Sequence, residues 1–125
     1  MANLPTTMCA VQLTKHGDFD ALNYATDIPL PTVNDNDVLI KVMAAGVNNT
    51  DLNTRLAWYS KQDNESDDAS WSGNALVFPR IQGADVCGVI VAVGKNVSSE
   101  RVGERVLIEP CIIKAKGETL QSPWY

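Results

Sequence analysis

Apolar residues occur in short runs separated by polar breaks, and the spacing within each run predicts its element. "MCAVQLT" (Met8 to Thr14) is rich in β-formers and stops at "KHGD", where Gly17 and Asp18 favour a turn. "DALNYATDIPLPTV" carries Pro29 and Pro31, which lack backbone donors, so it is expected to run extended along an edge and to resist helix. "DNDVLIKVMAAG" reads as a turn and then a strand, apolar on both faces and therefore expected to have little exposure to water. From Thr50 the spacing changes. Leu52, Leu56 and Tyr59 in "TDLNTRLAWYS" fall four and three apart, as one face of a short helix would. Asn48 to Asp51 are placed to supply its N-cap and first-turn acid.

The next stretch, "SKQDNESDDASWSGNALVFPR", is polar, acidic and without period, which predicts a long loop over 60–79. Loops beyond ~12 to 15 residues tend to be lids, binding loops or disordered. Trp71 and Phe78 are expected to pin it at a few points, and a lid and a passive surface insertion both remain open. Ser60 to Ala75 is expected to be the most mobile internal segment, since Trp71 is its one large apolar residue. "VCGVIVAVG" (Val86 to Gly94) is the strongest strand signal, and "KNVSSERVGERVLIEP" adds a turn, a bend at Gly103 and a strand from Arg105 to Ile108. Several short strands, one short helix and one long loop predict a mainly β domain, a small barrel or sandwich.

Composition narrows the classes of function. The chain has 125 residues, 45% of them apolar and 20% charged, which suits one soluble domain with a core. A net charge of −5 without a basic stripe disfavours nucleic acid and anionic membrane as partners. No apolar run approaches the ~18 residues of a membrane span, and "MANLPTT" lacks the pattern of a signal peptide, so a cytoplasmic protein is expected. Cys9, Cys87 and Cys111 are odd in number and far apart, so they form no evident disulfide or zinc framework. Three glycosylation sequons, at Asn48, Asn64 and Asn96, are read as background. His16, the lone histidine, reads as a turn residue ahead of any catalytic or ligand role.

Four stretches in order, "MCAVQLTKHGDFDAL", "DVLIKVMAAGVNNTDLNTR", "FPRIQGADVCGVIVAVGKNV" and "VGERVLI", resemble the N-terminal, GroES-like catalytic domain of the medium-chain dehydrogenase/reductase family, which includes alcohol dehydrogenases and quinone oxidoreductases. The resemblance runs from about Met8 to Ile108 and implies a partly open β-barrel over 1–125. In the zinc-dependent members a cysteine and the histidine of a Gly-His-Glu sequence bind catalytic zinc. The matching positions here are Asn48 and Ala84, the latter within Gly83-Ala84-Asp85. An amide is a poor zinc ligand and an alanine is none. Only Cys111 is present where a structural-zinc lobe would follow Pro110, and "KAKGETLQSPWY" looks unlike the family's continuation.

The resemblance therefore implies the zinc-independent, quinone-oxidoreductase side of the family, with hydride passing from NADPH or NADH to a quinone, enone or carbonyl acceptor. It implies catalytic roles for Asn48, Thr50 and Asp51, Thr50 matching a proton-relay hydroxyl. Substrate contacts would come from Asn48, Trp58, Tyr59 and Asp85, and cofactor contacts from Asn48, Asn49 and Thr50. The Asn48 amide, the Thr50 hydroxyl and backbone N–H groups at the helix start are suitable donors to an oxygen where negative charge develops. Family members continue into a Rossmann domain, and this sequence has no G-x-G-x-x-G after a strand, so the isolated chain is expected to be inactive. The expected partner is a small-molecule acceptor, and a homo-oligomer is compatible with the sequence. Two alternatives stay open: a non-catalytic binding or assembly domain of the same fold, and a metal-dependent alcohol dehydrogenase with altered ligands near Asp51, Asp85 and Cys87. Cys87, between Val86 and Gly88 in an apolar strand, reads foremost as an inert thiol.

Overall fold

The computed structural model of the chain describes residues 4–60, 76–109, 112–115 and 118–124, the last two stretches as backbone alone. Most of the loop expected over 60–79, including Trp71, lies outside the described residues, as does Cys111. The strands are β1 (Thr7–Leu13), β2 (Leu22–Pro29), β3 (Val38–Ala44), β4 (Cys87–Val93), β5 (Arg105–Leu107), β6 (Ile112–Ala115) and β7 (Glu118–Trp124), with one α-helix, α1 (Asn49–Arg55). Single 3-10 turns occupy Phe19–Ala21 and Ser99–Arg101. The fold is mainly β with short helices, as the apolar spacing implied. Its sheets are β1-β2, β3-β4-β5 and β6-β7, and the described strands close no barrel. No helix among the described residues is long and apolar enough to cross a membrane.

The chain divides into two compact units, 1–7, 29–46 and 84–125 in one, 8–28 and 47–83 in the other. In the first, β3 and β5 flank β4 and both run antiparallel to it, with Ile40 opposite Ile90 and Gly88 opposite Val106. Ile90 is 1% exposed and is the centre of this sheet's core. Its backbone accepts from Gly103 N–H at 2.8 Å and donates to Glu104 at 3.0 Å, which places the bend at Gly103 (φ 95°) where the sequence suggested one. At the end of β4, Gly94 donates to Asp37 at 2.8 Å, and the turn before β3 folds back over it. A Cβ on Gly94 would overlap the carbonyl oxygens of Asn34 and Asp35, so only glycine lets turn and strand approach this closely. Asp37 Oδ2 secures that turn, accepting from the Asn34 side chain at 2.6 Å and from its backbone N–H at 3.1 Å.

One expectation for this sheet fails. Residues Lys41 to Ala44 of β3 are exposed, Val42 at 55% and Met43 at 65%, although the run is apolar on both faces. Among the described residues β3 pairs with β4 alone, and the register shifts between Val42 and Ala44. Four consecutive exposed residues mean that neither face of this half of β3 is covered among the described residues, which an apolar pattern by itself does not reveal.

In the second unit Leu13 and Ala21 are fully buried and Leu76 is 6% exposed. Leu13 and Arg80 exchange both backbone hydrogen bonds, at 2.7 and 2.9 Å, which ties the end of β1 to the segment leading into "IQGAD". Phe78 meets the His16 ring edge-on at 5.0 Å between centroids, so Phe78 does pin its segment. Helix α1 departs from expectation. Leu52 and Leu56, the proposed buried face, are 44% and 48% exposed, while Arg55 is the buried residue of the helix at 8%. The turn at Gly17 and Asp18 offers Arg55 a carbonyl and a carboxylate, whereas no described surface covers Leu52 and Leu56.

Candidate functional site

Residues Asn48 to Asp51 form the entry to α1, in the second unit. Asn48 is the N-cap residue, with extended dihedrals (φ −121°, ψ 166°). Asp51 Oδ2 accepts the Asn48 backbone N–H at 2.7 Å, and the Asp51 N–H donates back to the Asn48 carbonyl at 3.0 Å. The two residues form a capping box, in which the Asn48 side chain faces the Asp51 backbone N–H and the Asp51 carboxylate takes the Asn48 backbone N–H. Asn48 is thus the N-cap that the sequence suggested, and it shares the cap with Asp51, whose carboxylate also favours the positive end of the helix. The Asn48 and Asp51 backbone N–H groups are consumed inside the turn. Asn48, Asn49 and Thr50 are exposed, and the Asn48 Nδ2 and Thr50 hydroxyl make no hydrogen bond among the described residues.

The far end of the helix is held by the turn at "KHGD". Arg55 Nη1 donates to the Gly17 carbonyl at 2.8 Å and reaches Asp18 Oδ1 at 3.3 Å, and its guanidinium lies 4.9 Å from the Phe19 ring centroid. Gly17 N–H donates to the Arg55 carbonyl at 2.9 Å, and His16 Nδ1 is 2.8 Å from the Thr54 carbonyl. The histidine is indeed a turn residue, one that also braces a helix end. Beyond Leu56 the chain turns through Ala57 at φ 56°, with Ala57 N–H bonded to Thr54 at 3.2 Å and Trp58 N–H to Asn53 at 2.8 Å. This is a Schellman closure with alanine where glycine is usual.

That closure aims Trp58 and Tyr59. Their rings pack edge-to-face at 5.4 Å, Trp58 remains 49% exposed, and the Tyr59 hydroxyl accepts from Asn53 Nδ2 at 3.3 Å. Within this unit the structure also joins Gln82 to the helix entry, its Nε2 donating to the Asp51 carbonyl at 3.1 Å. Asp85 belongs to the other unit. It is exposed and packs over Gly46, where an added Cβ would stand 2.9 Å from Asp85 Oδ2. The second unit thus carries Asn48, Asn49, Thr50, Asp51, Trp58 and Tyr59, and the first unit carries Asp85 beside Gly46. Arg55 and Gln82 were missed from sequence. Neither lies on a periodic face or in a chemical motif, so no local signal marks them.

Donor chemistry bears on metal. Among the described residues no three His, Cys, Asp or Glu side chains converge as a metal-binding group would require. Cys87 is a partly buried free thiol at the start of β4.

The architecture and these residues have counterparts in known proteins. Residues 34–122 match the alcohol dehydrogenase GroES-like domain, and the chain belongs to that family. Its relatives place it in the medium-chain dehydrogenase/reductase group. The chain is 35% identical over 112 residues to the quinone oxidoreductase of Homo sapiens, covering 90% of this chain and 30% of that protein. It is 30% identical over 104 residues to a 2-methylene-furan-3-one reductase of Solanum lycopersicum, covering 83% and 24%. A solved structure of a putative alcohol dehydrogenase from Sinorhizobium meliloti 1021 superposes with TM-score 0.83 at 41% identity, over 100% of this chain and 35% of that one. The chain thus spans between a quarter and about a third of these relatives. The family match runs to residue 122 and so includes most of "KAKGETLQSPWY", which corrects the expectation that this segment departs from the family.

Proposed function

We propose that the chain is the substrate-side domain of a zinc-independent, NAD(P)H-dependent oxidoreductase that reduces an enone, quinone or carbonyl acceptor in the cytoplasm. The observation that carries this reading is the division of labour at the helix entry. The Asp51 carboxylate and the oxygen of the Asn48 side chain serve the cap, and the Asn48 Nδ2 and the Thr50 hydroxyl stay available as donors to an acceptor oxygen. Two donors aimed where negative charge accumulates stabilise the transition state more than the ground state. Asp51 acts in this reading by holding Asn48 in place.

The relatives' names support the substrate class. A quinone and a 2-methylene-furan-3-one both conjugate an oxygen to the carbon that accepts hydride, so a donor at that oxygen assists both. Zinc independence is supported by the side chains at the two ligand positions, Asn48 and Ala84, which lack the thiolate and imidazole that tetrahedral zinc prefers. Bound NAD(P)H supplies the hydride. Asn48, Asn49 and Thr50 carry exposed polar groups suited to its nicotinamide and ribose oxygens, whereas this sequence has no glycine-rich turn for its pyrophosphate. Trp58, half exposed and set edge-to-face on Tyr59, offers an aromatic face suited to a flat conjugated acceptor.

The test follows NADPH oxidation by the complete gene product with 1,4-benzoquinone and a simple enone. Asn48→Ala and Thr50→Val are expected to lower turnover by on the order of 10² each, with unfolding measured in parallel. Wild-type turnover in both variants reduces the cluster to a helix entry and favours the binding-domain reading. Retention of one zinc per chain after dialysis against a mild chelator overturns zinc independence.

A further inference from the structure

Helix α1 is fastened at both ends, by different means. At its C-terminal end Arg55, Gly17 and His16 form a dense set of contacts. At its N-terminal end two of the three bonds described at Asp51 are local, to Asn48, and are lost together when the first turn opens. The third is the bond from Gln82 Nε2 to the Asp51 carbonyl, across 31 positions in sequence. Gln82 is partly buried, and its other amide atom, Oε1, is buried without a hydrogen-bond partner. Leaving such an atom unsatisfied costs free energy, which is tolerated here alongside the Nε2 contact.

We propose that Gln82 is a positioning residue for the acceptor rim, resting on the reading of Asn48 and Thr50 as donors to the substrate oxygen. The lever is short. Seven residues at 1.5 Å rise make a helix of about 10 Å. Opening of its first turn, with the rest held at the Arg55 anchor, therefore carries Asn48 and Thr50 by a sizeable fraction of an ångström or more. Misplacement of ~1 Å costs on the order of 10² in rate. Gln82 opposes that opening because its amide holds the first turn's carbonyl from outside the helix.

Two measurements test this. In the 125-residue chain, amide hydrogen exchange of Gln82→Met is expected to accelerate at Asn48 and Asp51 at least about fivefold, while Gly17 and Arg80 keep wild-type protection. In the complete gene product the same variant is expected to lower kcat about tenfold or more with KM for NADPH within about twofold. Gln82→Glu supplies a signature that a merely structural role lacks. As a carboxylate it faces the Asp51 carbonyl with no donor, and as a carboxylic acid it regains one, so its kcat relative to wild type is expected to recover as pH falls towards 5. Unchanged exchange at Asn48 in Gln82→Met overturns the proposal. So does wild-type kcat in Gln82→Met in an enzyme that Asn48→Ala impairs, which leaves the reading of Asn48 intact. Wild-type turnover in Asn48→Ala removes that reading instead, and the exchange result still decides whether Gln82 holds the helix.

Discussion

Replacing Arg55 by methionine isolates what fastens α1. Methionine keeps an unbranched apolar stem and deletes the guanidinium. The hydrogen bond to the Gly17 carbonyl, 2.8 Å and partly buried, has a charged donor and contributes roughly 1.5 to 3 kcal/mol. The contact over Phe19, whose ring is 75% exposed, adds roughly 0.5 to 1 kcal/mol. The ion pair with Asp18 adds at most about 1 kcal/mol, because its 3.3 Å separation is long and the Asp18 side chain is 80% exposed. Arg55→Met should therefore cost on the order of 2 to 5 kcal/mol, read as a fall in the urea midpoint at constant slope. Asp18→Asn keeps the acceptor for Phe19 N–H, 2.8 Å away, and removes only the charge, so it should cost about 1 kcal/mol or less. Arg55→Lys should fall between them, since an ammonium keeps the charge but not the planar fork. The reasoning is refuted if Asp18→Asn is as costly as Arg55→Met, which would make the ion pair dominant. It is equally refuted if Arg55→Met unfolds within about 0.5 kcal/mol of wild type, as a surface residue would.

Three further outcomes are expected. Gly94→Ala should lower stability by roughly 3 kcal/mol or more in urea unfolding, because the new Cβ meets backbone oxygens of Asn34 and Asp35 that have no rotamer through which to retreat. Ala57→Gly should raise the melting temperature by a few degrees: relief of a left-handed alanine gives about 1 to 2 kcal/mol, less about 0.4 to 1 for the looser unfolded chain. Asp51→Ala and Asn48→Ala should each destabilise by ~0.5 to 2 kcal/mol, since the two side chains share the capping box; wild-type stability of either variant in chemical denaturation would remove that residue from the cap.

Most elements were legible in the linear pattern because their signals are local. The β-branched run at Val86–Gly94 became β4, the two prolines kept 22–29 extended, and the polar cluster at Asn48–Asp51 opened a helix. The family too was legible, since "AAGVNNTD" and "GADVCGVIVAVG" are contiguous motifs. Periodicity failed where a distant partner decided burial. Leu52 and Leu56 have helical spacing but no described surface that buries them, whereas Arg55 is buried because a turn 37 residues away offers it a carbonyl and a carboxylate. The second half of β3 is likewise apolar in pattern, yet no described surface covers either of its faces. At the candidate site, sequence alone supplied the donors. That Gln82 braces the helix's first turn followed only from tertiary placement, because a hydrogen bond across 31 positions leaves no periodic trace in the chain.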